Sequence, residues 1–253
     1  MHFSPDQVIS LHHLPEDTDF IKGVVLLIDK PIGWTSFDVV NKIRFKIKHG
    51  LKIKKIKVGH AGTLDPMATG LLLVCTGKLT KQIDLLQAEI KSYSGNMAVG
   101  ATTPTYDAES QIDATYPTDH INADIIVKAK ETLTGDQMQV PPIFSAIKIE
   151  GRAAYDLARK GKEVIMKSRP VTIYNFDILN SDISKLSFFV KCSKGTYVRS
   201  LVYDFGRALD SGAYMTALRR EDIGDFSVLN ALNMEQISDY IENVTSKLIN
   251  LKL

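Results

Sequence analysis

Val58-Gly59-His60-Ala61-Gly62-Thr63-Leu64-Asp65-Pro66-Met67-Ala68-Thr69-Gly70-Leu71-Leu72-Leu73-Val74-Cys75-Thr76-Gly77-Lys78 gathers Gly59, Gly62 and Gly70 around a single acid, Asp65, and then turns apolar. Glycine permits backbone angles and close approaches that a side chain forbids. Pro66 pushes Asp65 away from helical geometry toward an extended or turn conformation. Leu71 to Cys75 reads as a short buried strand. The stretch therefore describes a carboxylate on a tight loop, anchored to the core on its C-terminal side. By pattern alone, an Asp-Pro pair between glycines is also an ordinary turn.

Upstream, Val24 to Ile28 is an apolar strand, followed by Asp29-Lys30-Pro31-Ile32-Gly33-Trp34-Thr35-Ser36. Thr35 with Asp38 three places on predicts a helix N-terminus. Phe37, Val40, Ile43 and Ile47 then fall on one helical face. Arg44, Lys46, Lys48, Lys52, Lys54, Lys55 and Lys57 form the densest basic stretch. Lys52 to Val58 partly alternates charged and apolar residues, as a strand with one wet face would. Such lysines guard a sheet edge or supply phosphate contacts through counterion release. Because the run leads into the Asp65 loop, the phosphate reading is favoured. Downstream, Gly77-Lys78-Leu79-Thr80-Lys81 is not a P-loop: six residues separate Gly70 from Gly77, and Leu79 follows the lysine.

Further on, Lys91 to Gly100 alternates as a strand with Tyr93, Met97 and Val99 on one side. Residues 101–119 read as a loop. Asn122 to Leu133 has helical spacing, with Gly135 as its stop. Gln137 to Lys162 is an irregular, Pro-bounded excursion carrying Lys148, Arg152, Arg159, Lys160 and Lys162. Val171 to Leu179 and Leu186 to Cys192 read as strands. Gly195-Thr196 makes a turn before a helix with Val198, Leu201, Val202, Phe205 and Leu209 on one face. Met215 to Phe226 is compact and mixed, and Met234 to Leu248 is weakly helical.

The 253 residues are 44% hydrophobic and 24% charged, with a net charge of +2. That is ordinary globular usage with a sizeable core, and nucleic-acid affinity must come from local clustering. Cys75 and Cys192 stand far apart with no C-x-x-C pair, which argues against a disulfide framework or a zinc site. Met1 to Phe20 holds acids and histidines where a signal peptide needs an apolar run. Gly23 to Ile28 is too short to span a membrane. The expectation is a soluble, cytoplasmic protein.

His60 to Leu72, H-A-G-T-L-D-P-M-A-T-G-L-L, closely resembles the catalytic motif of the tRNA pseudouridine synthase B family, in which this aspartate is essential. Asp29 to Ser36 resembles the family's first motif, D-K-P-x-G-x-T-S. Gly77 to Lys81 resembles its G-x-x-T-K, and Gly195 to Leu201, G-T-Y-V-R-S-L, its arginine motif. The resemblance implies an α+β pseudouridine synthase fold, with a mixed, mostly antiparallel central sheet flanked by helices and a thumb insertion at about 136–165. It divides the chain into an irregular lead-in (1–20), a catalytic domain (21–226) and a short tail (227–253). That tail is too short for the full C-terminal RNA-binding domain of many members.

The implied site is Asp65 with Arg199 as its partner and Tyr93 stacking on the extruded base. At ~4 Å and an effective dielectric of ~20, such an ion pair attracts by ~4 kcal/mol before desolvation. That is enough to hold a carboxylate in one rotamer. His60, Tyr197, Leu218, Lys30, Lys81 and Lys148 are the implied substrate contacts. The implied activity is isomerisation of the uridine at position 55 in the tRNA TΨC loop, by base flipping, glycosidic cleavage and reattachment through C5. Because the product is an isomer, no cofactor or metal is expected. The expected partner is the tRNA T stem-loop, with no guide RNA, and the protein is expected to act as a monomer.

Overall fold

A computed structural model describes residues 3–145, 147–149, 152–154, 165–180 and 182–250. In chain order its strands and helices are β1 (Val8–Ile9), β2 (Val25–Lys30), α1 (Ser36–Gly50), β3 (Val58–His60), β4 (Ala68–Thr76), α2 (Ile83–Ala88), β5 (Lys91–Val99), β6 (Ala101–Thr102), β7 (Ala114–Thr115), α3 (Ala123–Thr132), β8 (Gly135–Gln139), β9 (Lys148–Ile149), β10 (Arg152–Ala153), β11 (Arg169–Ile178), β12 (Leu186–Cys192), α4 (Val198–Ala208), β13 (Ala213–Ile223), β14 (Phe226–Ser227) and α5 (Met234–Asn250). β1 runs parallel to β2, while the β2–β4, β3–β4, β8–β11, β11–β12 and β13–β14 pairs are antiparallel. The architecture is thus α+β with mixed, mostly antiparallel pairing. The chain divides into two compact units, residues 1–91 with 219–253, and residues 92–218.

In the first unit the strand order is β1-β2-β4-β13, with β3 beside β4 and β14 beside β13. Successive side chains on a strand point to opposite faces, and both faces of β2 and β4 are covered. Leu26, Ile28, Leu72 and Val74 pack with Val39, Val40, Ile43 and Ile47 of α1 and with Ile237, Tyr240, Ile241 and Val244 of α5. Val25, Leu27, Leu71, Leu73 and Cys75 pack with Leu86, Ile223 and Val228. Burial on both faces explains the unbroken apolar runs of these strands. It also pushes the Cys75 thiol up to about 12. The flanking segments are built into this unit: Ile9 and Phe20 are fully buried, and α5 supplies one wall of the core.

Thr35 caps α1 as expected, its side chain accepting from the Asp38 N–H while the Asp38 carboxylate accepts from the Thr35 N–H. The buried face differs by one position: Val39 joins Val40, Ile43 and Ile47, and Phe37 is 63% exposed. Residues 51–57 form no strand; Lys52 has φ +54° and pairing starts only at Val58.

In the second unit the order is β13-β5-β12-β11-β8. Leu186, Phe188, Val190 and Cys192 alternate into the core, and Val198, Leu201, Val202, Phe205 and Leu209 form the buried face of α4. The Phe176 ring meets Phe188 and Phe205 edge-on, with centroids 6.2 and 5.5 Å apart. Asn122 caps α3 through the Ile125 N–H, and Leu133 ends it, two residues before Gly135 opens β8. Two of the longer strands went unforeseen, and the two-residue strands β6 and β7 lie in residues 101–119, which the sequence reads as a loop. β8 is a polar edge strand of Gly-Asp-Gln-Met-Gln, and β13 carries a charged run, Arg219 to Asp222, inside an otherwise apolar pattern. In the expected thumb, residues 155–164 lie outside the described residues, with Arg159, Lys160 and Lys162 among them, as do the side chains of Lys148 and Arg152.

Candidate active site

Asp65 sits in the loop between β3 and β4, which pair Val58 with Thr76, Gly59 with Cys75 and His60 with Val74. The hairpin fixes where the loop begins and ends, and the Ala68 N–H closes a turn on the Asp65 carbonyl at 3.0 Å. Leu64 is buried beneath the loop, leaving Asp65 half-buried.

The first-motif segment holds this loop. The Gly33 N–H donates to the Pro66 carbonyl at 2.8 Å. Ser36 binds Leu64 twice, its hydroxyl donating to the carbonyl and accepting from the N–H. Lys30 is fully buried, and its Nζ donates to the carbonyls of Pro31 (2.9 Å), Trp34 (2.6 Å) and Pro66 (3.5 Å). That burial lowers its pKa to about 8, against the opposing pull of Asp65. Lys30 thus supports the loop from inside instead of meeting solvent. The spacing of D-K-P-x-G-x-T-S follows from this: a strand end, a turn and a helix start each supply one brace.

Arg220 braces the other side, with Nε donating to Leu71 O at 2.7 Å and Nη2 to Gly62 O at 3.1 Å. His60, at the end of β3, is half-buried; desolvation first, and the charge of Arg220 second, lower its pKa. Basic residues of two segments meet in space: Lys55 and Lys57, with Lys78 and Lys81, line a cavity of about 260 Å³ together with Ile21, Ile56, Gly77 and Thr80. The Gly77 N–H bonds the Lys57 carbonyl and ties these two segments together.

The second unit carries the remaining candidates. Tyr93 is half-buried on β5, and Leu218 is 9% exposed on β13. Tyr197 enters α4 with its N–H on Gln139 Oε1 and its carbonyl accepting from Gln139 Nε2. The Arg169 guanidinium lies 4.6 Å from the Tyr197 ring centroid. Arg199 is buried in the first turn of α4. It donates to the carbonyls of Thr105 (3.1 Å) and Phe144 (3.0 Å), and its Nη1 lies 3.3 Å from Asp107 Oδ2. A cation at a helix N-terminus runs against the helix dipole, and these three acceptors offset that.

Asp107 is fully buried and also accepts from the Thr105 hydroxyl and the Glu109 N–H. It follows Tyr106, whose backbone has φ +63° and whose ring stacks on Tyr203 at 4.1 Å. Asp107, Ser36 and Arg220 were missed from sequence. Arg220 gave no signal: it stands in a charged run, and β13 buries Leu218, Arg220 and Ile223 without regular alternation. Asp107 gave a weak signal, one acid among short hydroxyl residues that cap and turn chains.

A family profile for the TruB family pseudouridylate synthase N-terminal domain matches residues 48–198, and one for the tRNA pseudouridylate synthase B C-terminal domain matches residues 199–251. The tRNA pseudouridine synthase B of Parabacteroides distasonis is 48% identical over 230 residues, covering 91% of this chain and 98% of that protein. That of Flavobacterium johnsoniae is 50% identical over 226 residues, covering 88% and 98%. Among solved structures, a chain of a Cbf5-Nop10-Gar1 complex superimposes with a TM-score of 0.66 at 26% identity, over 96% of this chain and 65% of that one. This chain thus spans about two thirds of that structure's chain. Fold and motifs together define a pseudouridine synthase. Within that class, the chain belongs to the TruB family.

Proposed function

We propose that the enzyme acts on tRNA, converting the uridine at position 55 of the T loop to pseudouridine with Asp65 as its essential carboxylate. The observation that carries this is the bracing of the Asp65 loop by Gly33, Lys30, Ser36 and Arg220. A side chain that only closed a turn needs no such support, whereas a reacting group gains rate from being held in one geometry. The family resemblance and the names of the close relatives supply the substrate class. The glycosidic bond to N1 breaks, the uracil turns, and a carbon–carbon bond forms through C5, releasing the hydrogen of C5. Carboxylates support such covalent chemistry. A base hidden in a folded loop must first be extruded, at a cost of a few kcal/mol.

Arg199 is assigned to the same reaction by its motif, and Tyr93 and Tyr197 as aromatic faces for the base. Lys57 and Lys81 are assigned to phosphates, and His60, Leu218 and Lys148 to the RNA. The test is release of tritium from C5-labelled uridine in an unmodified tRNA transcript, with no guide RNA added. Release that disappears when position 55 is replaced by cytidine supports the reading. Release that demands a guide RNA, or that survives the replacement, contradicts it.

A further inference from the structure

Arg220 is only 1% exposed, so its guanidinium is wholly desolvated. Burying such a cation is expensive, and a well-packed apolar side chain usually stabilises a sheet at least as well. What an arginine supplies instead is a planar fork that meets two acceptors at a fixed separation. Here those acceptors are Gly62 O and Leu71 O, one at each end of the loop that carries Asp65. The backbones are equally close. A Cβ on Gly70, whose φ is +100°, would stand 2.3 Å from the Arg220 carbonyl oxygen and 2.7 Å from its nitrogen.

We infer that Arg220 is a positioning residue for the reaction: its guanidinium spans the base of the Asp65 loop and fixes the separation of the loop's two ends. The inference rests on Asp65 being the reacting carboxylate. The loop has a brace of different origin on its other side, where Lys30, Gly33 and Ser36 hold Leu64 and Pro66. Arg220 sets the height at which the loop leaves the sheet.

The test compares Arg220→Lys and Arg220→Gln with Ile241→Ala, a core variant in α5 far from the loop in sequence and outside the site. Single-turnover rates, tRNA dissociation constants and melting temperatures are measured for each. The expected result for Arg220→Lys is a rate about 100-fold lower, as for a reacting group misplaced by ~1 Å. Its tRNA affinity should stay within about twofold, because only an interaction felt in the transition state is lost. Ile241→Ala should lose at least as much melting temperature and keep its rate. Rates that follow melting temperature across all three variants would overturn the proposal. So would a weakened affinity at constant rate, or failure of both Arg220 variants to fold while Ile241→Ala folds. Asp65→Asn is run alongside. If it remains active, the reading of Asp65 itself fails, whatever the Arg220 variants do.

Discussion

Lys30 keeps its ammonium where water does not reach, held by three carbonyls beneath the Asp65 loop. Desolvation is the larger influence and brings its pKa to about 8. The unfolded chain titrates near the ordinary lysine value of about 10.4. Between those two values the unfolded state binds more protons than the folded one, so this group's contribution to stability rises with pH across that window. Below pH 8 the buried charge is a constant penalty. Nitrogen-15 NMR of Lys30 Nζ should show a midpoint near 8, and the stability gain from pH 8 to 10 should shrink in Lys30→Met. A midpoint at the ordinary lysine value contradicts this.

The second buried cation, Arg199, faces Asp107 at 3.3 Å. Removing one member of a buried pair strands the other, at a typical cost of about 3–5 kcal/mol. Asp107→Ala should therefore destabilise by that order in urea unfolding. A loss under about 1 kcal/mol would mean that Arg199 is satisfied by its other partners without Asp107.

Among the elements, α1 links helix stability to the site, because its capping residue Thr35 stands between Gly33 and Ser36, both bonded to the Asp65 loop. Thr35→Ala should cost about 1 kcal/mol in thermal or urea unfolding. It should also lower the rate of the reaction, which an uncoupled helix end would leave alone. The Asp65 loop, the strand core after it and α1 were legible in sequence because their signals are local: three glycines and an Asp-Pro on one side, a capping box and helical periodicity on the other. By contrast, β3 was expected over Lys52 to Val58 and starts only at Val58. β13 was not legible. Its run of Arg219 to Asp222 reads as surface, yet Arg219 is paired with Asp29 at 2.8 Å and Arg220 donates to two carbonyls. A charged residue in a strand declares its partner only when the sheet is assembled. Asp107 was hidden for the same reason, since its mate lies in α4, in a different part of the chain.

The whole molecule carries a net charge of only +2, so attraction for RNA has to be local. Lys55 and Lys57 are brought beside Lys78 and Lys81 around one cavity, although the P-loop reading of Gly77 to Lys81 had failed on spacing. If these lysines meet phosphates, each one removed should reduce the salt slope of tRNA binding by about 0.7–0.9. The double variant Lys57→Gln/Lys81→Gln should therefore flatten the slope by about 1.4–1.8 in filter binding from low to moderate salt. An unchanged slope would return these lysines to the role of solvated edge residues. The measurement nearest the central claim is tritium release from C5-labelled uridine in unmodified tRNA by the parent and by Asp65→Asn, with tRNA binding followed in parallel. The account predicts release by the parent alone and binding by both; equal release by the two proteins would contradict it.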